Sequence, residues 1–198
     1  VKSILTEKDL AGEAVLVTAG PTREPFDPVR FITNYSSGKM GYALACRARR
    51  RGASVTLISG PTALPVPRGV FYEPVSSAVE MRQAVLKHLE QSTIIIKSAA
   101  VADYRPSVCA DAKIKKKDGL LTICLERNPD IIAEIGKKKK KRILIGFAME
   151  SEDLIINAKA KMIAKNMDLI VANDVKQAGA GFKSDTNIVK ILDRDGGI

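Results

Sequence analysis

Short runs rich in β-branched residues alternate with amphipathic stretches along most of this 198-residue chain. Such runs, bounded by Gly, Pro or polar residues, are typical of buried strands. Their alternation with amphipathic stretches is typical of a parallel sheet covered by helices. The pattern therefore predicts an α/β fold, with a mostly parallel sheet, helices on both faces and one β-hairpin insertion that serves as a flap.

Seven strands and three longer helices are predicted. The strands cover residues 14–19, 53–59, 70–75, 93–98, 142–147, 169–172 and 187–192. The helices cover residues 38–51, 76–91 and 152–166. Ser76 or Ser77, followed by Glu80, predicts a capping box at the start of the second helix.

Three further features are predicted between the fourth and fifth strands. Lys113–Lys117 and residues 120–126 are expected to form the hairpin, which turns at Asp118-Gly119, a dipeptide typical of short hairpins. Asn128 is expected to be the N-cap of a short helix, with Pro129 at its first position. Residues 136–142 are expected to be a solvated connection.

The cysteine and histidine content excludes several classes of site. The cysteines are Cys46, Cys109 and Cys124, none in a CxxC pair, and the single histidine is His88. These residues provide neither a disulfide framework nor the ligands of a Cys/His zinc site. Free thiols predict a reducing, cytoplasmic location, and no apolar run approaches the roughly 20 residues of a membrane span.

A formal net charge of +10 indicates anionic partners. Only nine of the residues are Phe or Tyr and none is Trp, and the basic runs lack the spacing of the common nucleic-acid modules. Phosphorylated small molecules are therefore the better fit. Neither nucleic acid nor a membrane is expected as a partner.

The connection after the first strand is unusually long. It runs for about 18 residues, from Gly20 to Ser37, against the roughly 2–6 that are usual for such loops, and this length indicates a function. Ser36, Ser37 and Gly38 stand where the next helix begins, so its free amides and positive end could hold an anion. Plain N-capping is the alternative, and the string matches neither a P-loop nor GxGxxG.

Three other segments offer polar groups at predicted strand ends. The loop from Ser98 to Pro106 carries Asp103, which could accept a hydrogen bond from a ribose hydroxyl or help hold a magnesium ion. Lys161 and Lys165 are four residues apart and share a helix face, where solvation is the alternative role. The lysines near Lys113 could instead only protect an edge strand from aggregation.

Taken together, these strings resemble the phosphopantothenate–cysteine ligases, the second activity of the bacterial bifunctional coenzyme A biosynthesis protein. The resemblance rests on TAGPTREPFDPVRFITNYSSGKMG, SAAVADYRP, KIKK, NPDI, GFAMES, KNMDLIVAND and GFKSDTN, which span about residues 15–191. The first string alone is highly specific.

The resemblance implies a Rossmann-like fold, a homodimer, and a two-step reaction with CTP and Mg²⁺. In that reaction the carboxylate of 4′-phosphopantothenate attacks the α-phosphate of CTP, and the amine of L-cysteine then displaces CMP from the acyl-cytidylate. Residues 1–12 would be a linker after an upstream flavin-dependent decarboxylase domain, and residues 13–198 the ligase domain. A homodimer would also pair the edges that the hairpin and the last strand leave open.

Site residues follow from the resemblance by position. Asn34 matches the asparagine that contacts the acyl carbonyl, Arg30 the arginine beside it, and Lys113 an essential lysine at the root of a flap over residues 115–121. Asp103 is also the candidate magnesium ligand, and Lys97 adds a charge outside the matched strings. The predicted nucleotide-binding residues are Ser36, Ser37, Gly38, Lys97, Ser98, Ala99, Asp103, Lys113, Asn128, Pro129, Asp130, Ile131, Phe147, Lys161 and Lys165.

Two other functions compete with the ligase. An NAD(P)-dependent reductase would need GxGxxG and an acidic residue at the end of the second strand, and the sequence has neither. A nucleic-acid-binding protein would use the lysine runs, but it would leave the loops of Asn34 and Asp103 without a purpose. CTP over ATP does not follow from the residue types.

Overall fold

A seven-stranded sheet forms the centre of the molecule in the computed structural model, which describes residues 6–116, 118–150, 154–174, 186–195 and 197. The strands are β1 (Ala14–Ala19), β2 (Arg23–Pro25), β3 (Phe31–Thr33), β4 (Ser54–Ser59), β5 (Phe71–Pro74), β6 (Ile94–Lys97), β7 (Tyr104–Pro106), β8 (Leu125–Arg127), β9 (Ile143–Glu150), β10 (Leu169–Asp174) and β11 (Val189–Asp193). The helices are α1 (Lys39–Arg50), α2 (Ala78–Leu89), α3 (Ile131–Lys138) and α4 (Leu154–Ala164).

The order of the central strands is β11-β10-β9-β6-β1-β4-β5. All neighbouring strands are parallel except β11, which is antiparallel to β10. From β1 the chain adds β4 and β5 on one side of the sheet. It then returns to place β6 on the other side of β1 and adds β9, β10 and β11 beyond it, which is the doubly wound Rossmann arrangement. The predicted fold class is confirmed, and the order reverses between β1 and β6.

Helices pack on both faces of the sheet because residues alternate between the faces along each strand. Val15 and Val17 of β1 pack with Ala45 of α1 in one core. Leu16 of β1 and Ile95 of β6 belong to the other core, with residues of α2, α3 and α4. Within the described residues, none of the helices is long and apolar enough to cross a membrane.

The capping box of α2 is confirmed. The Glu80 amide donates to Ser77 Oγ at 3.2 Å, and the Ser76 amide donates to Glu80 Oε2 at 2.8 Å. Sequence spacing alone therefore located the start of this helix to within a residue.

The predicted hairpin at Asp118-Gly119 is wrong. Lys113 and Lys115 are exposed and Leu120 is fully exposed, so strands at these positions would have no apolar face to bury. Instead β8 pairs with β7, whose residues were expected to be a loop. The insertion is real, but it is a β7–β8 ribbon, and the predicted flap of residues 115–121 includes Lys117, which lies outside the described residues.

The start of α3 also differs from the prediction. Asp130 is its N-cap and accepts from the Ala133 amide at 3.0 Å. Asn128 lies two residues earlier, and its side chain donates to the Ala102 carbonyl at 2.9 Å. This tertiary contact removes Asn128 from capping, although both residues are good N-caps in isolation.

Residues 136–142 are not simply a solvated connection. Gly136 lies inside α3, and Lys139 is buried, with its Nζ 2.6 Å from both Asp168 carboxylate oxygens. The buried lysine joins the end of α3 to the start of β10.

Parts of four other predictions concern residues outside the described ranges. They are residues 1–5 of the predicted linker, the first two residues of the helix predicted at 152–166, Ser151 of GFAMES, and residues 181–185 of GFKSDTN.

Candidate active site

A cavity of about 1320 Å³ opens at the carboxyl edge of the sheet, beside the point where the strand order reverses. Ligands of open α/β sheets bind at this edge. The cavity exceeds the roughly 300–1,000 Å³ of a usual small-molecule pocket, so it has room for a nucleotide and a second substrate together.

The first wall of the cavity is the start of α1. Its N-cap is Gly38, with a φ of 76°, a left-handed conformation that favours glycine. Gly41 lies against the sheet, since a Cβ there would be 2.5 Å from Ala19 Cβ and 2.7 Å from Ser98 Oγ. These two glycines bring the amide end of α1 down to the strand ends, where it can hold an anion.

The loops after β1 and β6 are hydrogen-bonded to each other. The Ala100 amide donates to the Gly20 carbonyl at 2.9 Å, and the Thr22 amide donates to the Ala100 carbonyl at 3.2 Å. The Asn34 side chain donates to the carbonyls of Ala100 and Val101, at 3.4 and 3.2 Å. Asn34 is thus held at the cavity by two long hydrogen bonds that a substrate oxygen could replace.

The loop of Asp103 is fixed by Asn128. The Asn128 amide donates to the Asp103 carbonyl at 2.8 Å, and its side chain holds the Ala102 carbonyl and accepts from Arg105 at 3.0 Å. The Asp103 carboxylate itself is exposed in the cavity.

The opposite wall of the cavity is positively charged. Lys97 lies at the end of β6, Lys161 on α4, and Lys165 just after α4. Lys165 Nζ is 2.8 Å from Asp130 Oδ2. Burial would raise the pKa of Asp130, but the Lys165 ammonium, the Ala133 amide and the Lys97 charge together hold that pKa below its usual range.

Lys97 is half-buried at the end of β6. Burial lowers its pKa from the ordinary 10.5 to about 8. The nearby charges of Lys165 and Lys161 lower the pKa further, whereas Asp130 and Asp103 raise it. A bound polyphosphate would favour the charged form of Lys97 and so raise this pKa again.

We expect Lys97→Met to raise the free energy of unfolding at pH 7 by roughly 1–2 kcal/mol, because the charged amine is buried at a cost. Between pH 8 and 10.5, Lys97 loses its proton in the folded wild type but keeps it in the unfolded chain, so the free energy of unfolding of the wild type rises with pH. The advantage of the Lys97→Met variant over the wild type should therefore shrink over this range. Denaturant unfolding at pH 7 and 9.5 measures this. A gain that is equal at both pH values would contradict the assigned pKa.

All predicted site residues except Arg30 and Lys113 line the cavity. Lys113 is exposed and lies outside the lining. The Arg30 guanidinium donates to Asp27 Oδ2 at 3.0 and 2.6 Å and to the Ile114 carbonyl at 2.9 Å. The Arg30 guanidinium is therefore held at the turn of the β2–β3 hairpin, outside the cavity lining.

The family model described as DNA/pantothenate metabolism flavoprotein C-terminal domain matches residues 10–198 of this chain. The chain belongs to this family. The match covers every loop that contributes to the cavity.

Relatives within this pantothenate-metabolism family are similar over nearly the whole chain. The coenzyme A biosynthesis bifunctional protein CoaBC of Bacillus subtilis is 56% identical over 192 residues, which are 96% of this chain and 47% of that protein. The CoaBC protein of Vibrio cholerae is 48% identical over 198 residues, which are 98% of this chain and 50% of that protein. The chain thus spans about half the length of these curated relatives.

A solved structure agrees with this assignment. The crystal structure of the C-terminal domain of a CoaBC protein superposes with a TM-score of 0.79 at 46% identity, covering 94% of this chain and 84% of that one. The Rossmann-like sheet is therefore shared with this branch of the family.

One wall of the cavity was not predicted. Tyr35, Leu64, Pro65 and Pro67 line it, and all but Tyr35 belong to the loop of residues 61–69. Prolines between two strands indicate only a turn, so no sequence signal marked this loop as part of the site. These residues add apolar surface to the lining of the cavity.

Metal-binding capacity is limited within the described part of this family member. No cluster of three or more His, Cys, Asp or Glu residues there could hold a metal ion. Asp103 supplies a single exposed carboxylate, and Asp130 is already paired with Lys165. One carboxylate fits a Mg²⁺ that arrives with a nucleotide, because such ions take most of their ligands from phosphates and water.

Proposed function

We propose that this chain is a phosphopantothenate–cysteine ligase that uses CTP to join L-cysteine to 4′-phosphopantothenate through an acyl-cytidylate. The observation that carries the proposal is the meeting of five of the matched strings in one cavity, those that contain Asn34, Asp103, Asn128, Phe147 and Lys165. The family membership and the identity to CoaBC proteins support the same function.

Two positively charged parts of the cavity lining, the amide end of α1 and the lysines, suit a nucleoside triphosphate. The amide end of α1 at Ser37 and Gly38 and the lysines Lys161 and Lys165 would bind phosphate oxygens. The small residue Ala99 leaves the backbone open to a flat base. The choice of CTP over ATP rests on the family resemblance.

In the first step, a carboxylate oxygen of 4′-phosphopantothenate attacks the α-phosphorus of CTP. An O–P bond forms, the bond from the α-phosphorus to the bridging oxygen breaks, and pyrophosphate leaves. Positioning and positive charge dominate the catalysis of such a transfer, because the charge develops on phosphoryl oxygens. Lys113 and the cavity lysines are proposed to neutralise that charge.

In the second step, the amine of L-cysteine attacks the activated carbonyl carbon, its proton passes to water, and the bond to the phosphate oxygen of CMP breaks. Negative charge gathers on the carbonyl oxygen. The Asn34 side-chain amide can donate a hydrogen bond to this oxygen. Its present hydrogen bonds, to two backbone carbonyls at the cavity, are long and can be exchanged for one to the substrate.

Mg²⁺ bound with the triphosphate would be held by Asp103 and would add positive charge at the phosphates.

The test of this function is ligand-dependent stability followed by product release. Thermal unfolding is measured with CTP–Mg²⁺, ATP–Mg²⁺, NADPH and an oligonucleotide. CTP at about 100 times its Kd should add roughly 2.7 kcal/mol to the free energy of unfolding. Pyrophosphate release should then require both CTP and 4′-phosphopantothenate. Stabilisation by NADPH or by the oligonucleotide alone would support a reductase or a nucleic-acid-binding protein instead.

We also propose that a flavin-dependent decarboxylase domain precedes this region in the whole protein. The bifunctional names of the relatives and the half of their length that this chain leaves unmatched support it.

We also propose that this chain forms a homodimer. An exposed apolar face of the sheet supports this. In the described residues α1 packs mainly on β1 and β4, and its core cluster includes no residue of β9, β10 or β11, whose apolar side chains on the same face lack a covering helix. Ile143 and Ile191 there are 43% and 51% exposed. Exposed apolar patches of this kind mark association surfaces. Of the two edges that were expected to pair, β11 lies at the end of the sheet, whereas the described residues near Lys113 form no strand.

These side chains form one surface because paired residues of neighbouring strands share a face. Phe147 pairs with Val171, which pairs in turn with Ile191. The surface lies beside Phe147, a cavity residue, so a second copy seated on it would adjoin the active site.

We expect Ile191→Glu to convert the dimer into a monomer at micromolar concentration, because a buried unpaired carboxylate is costly at an interface. The control is Ile163→Glu, at a residue that is 69% exposed on α4, on the opposite side of the sheet. Sedimentation velocity measures both variants. A wild type that sediments as a monomer of 21.4 kDa, or an Ile191→Glu variant that stays dimeric, would contradict this interface.

A further inference from the structure

Asp27 is a buried carboxylate at the turn of the β2–β3 hairpin. It is 1% exposed. Its Oδ1 accepts from the amides of Val29 and Arg30, at 2.9 and 2.8 Å. Its Oδ2 accepts from the Arg30 guanidinium at 3.0 and 2.6 Å and from the Ile114 amide at 3.2 Å. A carboxylate so deeply placed and so fully bonded fixes the groups around it.

Two of these groups join distant parts of the chain. Ile114 is held at both backbone atoms, since its amide donates to Asp27 and its carbonyl accepts from Arg30. The Phe26 carbonyl also accepts from the Ala110 amide at 3.0 Å. The turn of the hairpin therefore holds the segment that leads through Lys113.

The same hairpin leads to Asn34. Its second strand, β3, ends at Thr33, and Asn34 follows directly. One rigid ribbon thus connects the side chain proposed to contact the acyl oxygen with the backbone next to the lysine proposed to act on the α-phosphate.

We infer that Asp27 is a positioning residue, which holds the backbone at Ile114 so that Lys113 stands in register with Asn34 across the active site. The inference rests on the proposed function. Asp27 lies outside the cavity lining, so its effect on the reaction is exerted through the backbone that it holds at Ile114, next to Lys113.

Substitution Asp27→Asn keeps the size of the side chain and removes the charge that binds Arg30. If Asp27 acts through Lys113, pyrophosphate release should slow about 10-fold while the Kd for CTP changes less than about 3-fold, because the cavity is untouched. In the Lys113→Gln background the same substitution should slow the reaction less than about 2-fold, since two residues that act as a unit are not additive.

Asp9→Asn is the control, because Asp9 also binds an arginine, Arg51, but is exposed at the surface, outside both the hairpin and the cavity lining. It should leave pyrophosphate release and CTP binding unchanged.

Each outcome decides the inference. Equal slowing by Asp27→Asn in the wild-type and Lys113→Gln backgrounds would overturn it, because the effect would then not pass through Lys113. Loss of CTP binding in Asp27→Asn would also overturn it, since Asp27 would then support the whole cavity. A wild type that releases no pyrophosphate would instead refute the proposed function, whereas slowing in the variants alone bears on the role of Asp27.

Discussion

Asn34→Asp is expected to lower turnover in the ligation about 100-fold or more. The Asn34 side-chain amide donates hydrogen bonds to the backbone carbonyls of Ala100 and Val101, so a hydrogen-bond acceptor such as the acyl oxygen can bind at the same place. An aspartate cannot donate there, and its charge would repel both these carbonyls and the oxyanion of the reaction. Losses of roughly 10²–10³ accompany the removal of a single donor of this kind.

The measurement is the rate of ligation with saturating CTP and L-cysteine, beside the melting temperature. Gln83→Glu is a control that makes the same change from amide to carboxylate at an exposed position of α2, outside the cavity. It should be as active as the wild type. Turnover in Asn34→Asp near that of the wild type, with the fold intact, would show that this loop does not serve the acyl oxygen.

The sheet was predictable because its strands are short runs rich in β-branched residues. In β1 (Ala14–Ala19) all residues from Val15 onward are buried, and a continuous apolar run of this length is typical of a central parallel strand. The short ribbons were missed for the opposite reason. Tyr104–Pro106 and Leu125–Arg127 are three-residue strands with little apolar pattern, and only their mutual pairing makes them strands.

The lining of the site was predictable where a string of small and polar residues followed a strand. The loop of Asp103 and the start of α1 at Gly38 are of this type. The environment of the charged groups was not predictable. Lys139 is buried beside Asp168, 29 residues away, and Asp27 accepts a hydrogen bond from the amide of Ile114, 87 residues away. Such partners are set by the fold and have no local signature.

The second large effect is expected at Lys113, where substitution by glutamine should slow formation of the acyl-cytidylate about 100-fold while weakening CTP binding only a few-fold. Ground-state CTP–Mg²⁺ would already be held by the amide end of α1 and by Lys161 and Lys165, so one cation outside the lining adds little to affinity. Attack on the α-phosphate adds charge that a glutamine can hydrogen-bond but cannot neutralise. An interaction made chiefly in the transition state lowers kcat and kcat/KM together.

Two measurements separate binding from chemistry at Lys113. Calorimetry gives the Kd for CTP, and pyrophosphate release in the absence of L-cysteine isolates the first step. Lys116→Gln removes an equal charge from the same exposed segment and should behave as the wild type, because Lys116 lies farther from the backbone held at Ile114. Because the segment is exposed, neither change should disturb the fold. Unchanged pyrophosphate release with a large rise in the Kd for CTP would show that Lys113 binds the nucleotide and takes no part in the transfer.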